Sequence, residues 1–238
     1  MVAFLPLAVR GEGVDDDGMT DRLCSADAEL LALPTAPWTN SVVELVVAAE
    51  APAVANHSIR SFLFARLLAS HRGMVADRDF DTRLLFAACV LHDIGLSERG
   101  NGDQRFEVDG ADVAAEVLTG HGLAAIDVGE VWMAIALHTS PGIAERRGTL
   151  CELTRNGIAM DGGLFPEAVS DTQAAMIHRA YPRLSLARTL VDIIVDQATA
   201  RPDKAPVYTI AGELVRERST PPHMTRLERM VSQSRWGE

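Results

Sequence analysis

An apolar run containing Leu84, Leu85, Phe86, Val90 and Leu91 ends abruptly in the adjacent pair His92-Asp93. A carboxylate among such neighbours is costly unless a partner neutralises it. On a helix, successive side chains diverge by about 100°, so the two are not expected to bond one another directly. Both can still converge on one point ahead of the helix end, and a metal ion is such a point, because it takes a neutral imidazole nitrogen and a carboxylate oxygen together. Two further polar residues interrupt apolar faces. His57 stands in the first turn of a segment otherwise filled by Ile59, Phe62, Leu63 and Leu67, and Asp161 ends the largely apolar "LTRNGIAMDGGL". His57, His92, Asp93 and Asp161 would together give two nitrogens and two carboxylate oxygens. Such a set suits zinc, iron or manganese and leaves room for water.

Helices must position these residues. From Ser25 onward apolar residues recur at three- and four-residue intervals, and strict alternation of strand type is nearly absent. The pattern predicts an all-α fold of roughly eight to ten helices. Thr39 or Asn40, Asp127 with Glu130, Thr149 with Glu152, Ser170 with Gln173, and Ser185 are the expected helix starts. Gly73, Gly95, Gly120, Pro141 and Pro202 are the expected stops. Residues 1–25, with Gly11, Gly13, Gly18 and the run Asp15-Asp16-Asp17, read as a poorly ordered arm. Residues 26–238 read as a single helical domain.

Composition narrows the partners. The 22 basic and 33 acidic residues give a net charge of −11, which repels phosphate backbones and anionic lipid heads. Nucleic acid and membrane are therefore not expected. The apolar opening "MVAFLPLAV" has no basic residue before it and an acidic run after it, the wrong flanks for a secretory signal. Cys24, Cys89 and Cys151 are odd in number and far apart, and so read as reduced thiols of a cytoplasmic protein. A homodimer is the default expectation for the assembly.

The order His, then His-Asp, then Asp on a helical chain resembles the HD superfamily of metal-dependent enzymes, over roughly residues 38–205. That resemblance implies a compact HD-type helical domain and one divalent metal on His57, His92, Asp93 and Asp161. Within the superfamily, "NHSIRSF", "LHDIGLSE", "RFEVDGADVAAEVL", "VWMAIALHTSPGI" and "AYPRLSL" look like the cyanamide hydratase-like branch. Characterised members of that branch use zinc to add water across a carbon–nitrogen triple bond, giving urea. Many phosphate-cleaving members carry Lys or Glu three residues after the motif Asp, whereas here that position is Leu96. The implied reaction is therefore attack by a metal-activated hydroxide on a small neutral substrate.

Asp93 is expected to shuttle the proton in that reaction, with Thr139 or His138 as donor to the developing nitrogen. Glu107 is expected to orient a ligand, and Phe106, Leu96 and Trp132 to form pocket wall. The rival enzymatic reading is a phosphohydrolase acting on a nucleotide or phosphate ester. It requires a basic pocket from Arg60, Arg99 or Arg105, or a second metal at His121 and His138. A further rival is a helical regulatory domain without turnover.

Overall fold

A computed structural model describes residues 29–237. The helices from Thr39 onward belong to one compact unit that begins at Leu33. The arm expected over residues 1–25 lies outside the described residues.

The fold is all-α. From Thr39 the described chain forms α1 (Thr39–Ala49), α2 (Pro52–His71), α3 (Thr82–Leu91), α4 (Phe106–Gly120), α5 (Ala125–Ala136), the short α6 (Ala144–Arg147), α7 (Thr149–Asp161), α8 (Asp171–Ala180), α9 (Leu186–Ala200), α10 (Ile210–Arg218) and α11 (Arg226–Ser232). Single 3-10 turns lie at Ile94–Leu96, Pro166–Ala168 and Pro202–Lys204. Among the described residues no β-strand forms, only an isolated bridge between Ala76 and Phe80. No helix there is long and apolar enough to cross a membrane.

The 20-residue α2 is the centre of the helical unit. Its side chains are buried on nearly every face, including Phe62, Leu63, Phe64 and Leu68, as expected for a helix without a clear polar stripe. It packs most extensively against α7, and also against α3 and α9. The α2–α7 crossing is close because Gly157 has no side chain: a Cβ there would lie 2.5 Å from the Ser61 carbonyl oxygen and 2.6 Å from the Ala65 Cβ. This contact brings the far end of α7, and with it Asp161, up to α2 beside His57 and Arg60.

Local starts and stops follow the expected chemistry only in part. Ser170 and Gln173 form a full capping box, and so do Thr225 and Glu228. Asp127 falls inside the first turn of α5, whose N-cap is Ala124, and Ser185 caps α9 without a side-chain bond. Gly95, expected as a helix stop, serves a close approach instead. The chain has already left α3 after Leu91, and a Cβ on Gly95 would meet the Phe106 carbonyl oxygen at 2.0 Å. The 3-10 turn at Ile94–Leu96 thus lies directly on the start of α4. Leu96 itself joins a core cluster with Phe106, Val191, Ile194, Ala211 and Leu214.

Candidate metal centre

His92 and Asp93 do not diverge as residues within one helix would. His92 keeps helical angles as the C-cap of α3, while Asp93, at φ −102° and ψ 6°, has turned out of the helix into the next 3-10 turn. This turn brings His92 Nε2 to within 3.1 Å of Asp93 Oδ2. Two more imidazoles face the same carboxylate. His57 Nε2, from α2, lies 3.9 Å from Asp93 Oδ2, and His138 Nε2, just after α5, lies 3.9 Å from Asp93 Oδ1. The His92 ring stands edge-on between the other two, with centroids 5.1 Å from His57 and 4.9 Å from His138. All four residues are buried.

The protonation of the three rings follows from what each Nδ1 touches. His92 Nδ1 is 2.7 Å from the Cys89 carbonyl oxygen, His138 Nδ1 is 2.7 Å from the Ile135 carbonyl oxygen, and His57 Nδ1 is 2.6 Å from Asp161 Oδ2. Carbonyl and carboxylate oxygens only accept, so each Nδ1 carries the proton and donates. In the neutral ring each Nε2 is left with its lone pair facing Asp93. Asp93 Oδ2, in turn, is buried without a hydrogen-bond donor. Lone pairs converging on an orphaned buried carboxylate oxygen have no internal reason to assemble, whereas a cation satisfies all of them at once. Donors bound to one ion at about 2.0–2.2 Å stand roughly 3–4 Å from each other, the separation between Asp93 and each of the three imidazoles. Among the described residues, His57, His92 and Asp93 are the group able to hold a metal ion in this way.

Asp161 is brought to the same end of the helical unit but not to the same point. Its carboxylate, fully buried, accepts from Arg60 Nε at 2.8 Å, Arg60 Nη2 at 2.7 Å, Arg183 Nη1 at 2.9 Å and His57 Nδ1. Both oxygens are thus occupied, and Asp161 stands behind His57, holding the ring's tautomer and direction. In place of the expected Asp161, the fourth group turned toward the cluster is His138.

Electrostatics follow from burial and these partners. Burial alone would raise the Asp93 carboxyl, but the surrounding His92, His57 and His138 hold it well below the usual carboxylate range. Burial also opposes charging of His92, and the charge of Asp93 nevertheless raises it above its ordinary value. His57 is lowered by burial, which outweighs Asp161. His138 is lowered to about 4 by burial and by the neighbouring His92. Burial would raise Asp161 too, yet Arg60 drives it well below its ordinary value.

The remaining expected site residues separate into two groups. Glu107, at the start of α4, accepts from Arg105 Nη2 at 2.6 Å and from Thr139 Oγ1 at 2.5 Å, so it positions Thr139 beside the cluster. Phe106 lines the cavity with Thr139 and packs edge-on against His138. Leu96 and Trp132 do not form its wall. Leu96 is taken into the core, and Trp132 points its indole N–H to Asp112 Oδ1 at 2.7 Å. His121 caps the far end of α4, exposed, and lines a different depression with Trp38 and Asp127. It therefore forms no second metal position with His138.

Arg183 and Glu50 lie outside the expected set, and Arg60, expected only as a cation of the rival phosphate pocket, serves Asp161 instead. Arg60 follows His57 by three residues, nearly one helical turn, so its commitment to Asp161 has a signal in the His-x-x-Arg spacing. Arg183 comes from a distant loop and has none. Glu50, buried at the end of α1, is raised well above its ordinary value by burial and by the charge of Asp93.

The model of the HD domain family matches residues 54–198, more than half of the chain. The chain belongs to the HD-domain family. No curated protein matches it. HD domains bind divalent metals and are in general metal-dependent hydrolases, and the His57, His92 and Asp93 cluster of this HD domain is compatible with metal binding.

Proposed function

We propose that this HD domain is a metal-dependent hydratase or hydrolase of a small neutral molecule. In this reading His57, His92, Asp93 and His138 hold one divalent ion, zinc first, and the reaction is water addition to a carbon–nitrogen triple bond of the cyanamide kind. The cavity that opens from the cluster carries the proposal. It measures about 350 Å³ and is lined beyond the cluster almost wholly by apolar side chains. Its cationic lining residue, Arg155, is held by Glu145 at 3.0 Å and Asn156 at 3.1 Å. The cations that a phosphate ester would need are spoken for: Arg60 by Asp161, Arg105 by Glu107, and Arg99 on the surface near Glu116. A neutral substrate has no such requirement.

A bound divalent ion would supply the nucleophile by lowering the pKa of water to about 7. Asp93 is the group placed to take that water's proton and return it to nitrogen. His138 cannot donate in this role, because its Nδ1 proton is held by Ile135 and its low pKa leaves Nε2 bare at neutral pH. Thr139 gives its hydroxyl proton to Glu107 and so offers the cavity a lone pair, suited to accept an N–H from the substrate's amino end. The roles expected of both residues as donors to nitrogen are revised accordingly.

The full chain, purified without added metal, should contain one transition-metal ion and release urea from cyanamide. Phosphate release from a panel of nucleotides without urea from cyanamide would refute the reading.

A further inference from the structure

The cavity has far more room than the reacting group of cyanamide takes up. At about 30 Å³ per water in the liquid, 350 Å³ corresponds to roughly twelve water-sized volumes. Cyanamide, an amino group on a nitrile carbon and nothing more, would leave most of it empty. The polar lining consists of His57, His92, Asp93, His138, Thr139 and the paired Arg155, while Leu186, Leu190 and Ile194 from α9 and Leu227, Met230 and Val231 from α11 supply much of the apolar lining. Leu164 and Met230 line the cavity and are also 36% and 42% exposed, so apolar side chains stand where it meets solvent. A pocket of this kind, with few polar groups in an apolar lining, orients an amphipathic ligand by its head and binds it by its body.

We propose that the substrate carries, beyond the group that reacts beside Asp93, a neutral aliphatic or aromatic body of about ten heavy atoms that fills the space between α7, α9 and α11. The proposal rests on the hydratase reading for the head group only. An N-alkylcyanamide, with an alkyl chain on the amino nitrogen, fits the whole cavity. Its hydration gives the N-alkylurea: the water oxygen becomes the carbonyl oxygen, both water hydrogens end on the former nitrile nitrogen, and nothing is oxidised or reduced.

The test is the metal-loaded full chain with N-methyl-, N-butyl-, N-hexyl- and N-octylcyanamide, following the alkylurea formed, together with calorimetric binding of the corresponding alkylureas. Each buried methylene should raise kcat/KM, and the affinity for the urea, by roughly three- to fourfold until the cavity is full. Ala187→Phe and, separately, Ala159→Leu, which fill the cavity from α9 and α7, should lower the hexyl-to-methyl ratio of kcat/KM at least tenfold. Turnover that is flat along the series overturns this inference and leaves the hydratase reading standing. Alkylureas that bind more tightly with length, with no cyanamide turned over, sink the hydratase reading and support the apolar body. Absence of both turnover and binding overturns the inference.

Discussion

Asp161→Asn separates a residue that holds metal from one that holds a ligand in place. The native carboxylate is fully buried and neutralises two guanidinium groups, Arg60 and Arg183, the first through two bonds of 2.7 and 2.8 Å. Asparagine keeps the shape but leaves two buried positive charges without this counter-charge. Breaking a buried pair in this way costs about 3–5 kcal/mol. At about 2–4 °C per kcal/mol for a chain of this size, the melting temperature of the metal-free protein should fall by about 6–20 °C. Metal should still bind, about 10- to 100-fold more weakly, because His57 exchanges a charged acceptor for a single amide oxygen that it must share with Arg60 and Arg183. The pH dependence adds a second signature. The folded pKa of Asp161 lies well below its ordinary value, so its contribution is fully present above the unfolded carboxylate pKa and is lost as pH falls below it. The gap in stability between native protein and variant should therefore be constant above about pH 5 and narrow below about pH 4. Calorimetric melts at several pH values and a competitive zinc titration measure both. Complete loss of metal with an unchanged melting temperature would make Asp161 a direct ligand and refute the placement argued from Arg60 and Arg183.

Three other outcomes follow from the same geometry. Gly157→Ala should destabilise the protein by about 1–3 kcal/mol, since the new methyl meets the Ser61 carbonyl at 2.5 Å, and should weaken metal binding by pushing α7 and Asp161 away from His57; denaturant melts and metal titration read both, and an unperturbed protein would show that the α2–α7 crossing is looser than described. Metal affinity should fall on acidification from the top of the imidazole range with about one proton competing, because His92 is raised whereas His57 is lowered and His138 is lowered to about 4; a slope of about three protons between about pH 7 and pH 5 would contradict that ordering. Glu50→Gln should stabilise the metal-free protein increasingly as pH rises, since a carboxyl whose folded pKa is raised loses stability above its unfolded pKa and glutamine does not; parallel pH profiles of the two proteins would show that Glu50 is not held neutral.

The helical class and the pairing of His92 with Asp93 are legible in the sequence because both depend on local pattern. Periodicity of three and four residues marks buried helix faces, and the polar pair at the end of α3 violates its own apolar run. The cavity is only partly legible. Phe106 sits where its place beside the HD turn puts it, yet Leu96, three residues from Asp93, faces the core, because Gly95 lets the 3-10 turn settle on α4 and turns the next side chain inward. Trp132 leaves the cavity wall for a similar reason: an indole N–H near the surface finds Asp112, one helix away, and sequence periodicity does not weigh that bond.

Asp161 turns to the arginines while His138 turns toward Asp93 for a reason no single segment contains. Each is a polar residue at a helix end, and each has its own hydrogen-bond partners. For His138 the partner is the Ile135 carbonyl three residues back, which occupies Nδ1 and leaves Nε2 free to face inward. For Asp161 the partners are Arg60 and Arg183, from α2 and from the loop before α9, and together with His57 they use both oxygens. A carboxylate with four donors already on it gains little from a cation and would have to give up buried charge-assisted bonds to reach one. An imidazole with its second nitrogen bare gives up nothing. The choice between the two is therefore made by Arg60, whose position almost one turn beyond His57 fixes the acid behind the histidine and directs that histidine's Nε2 at Asp93.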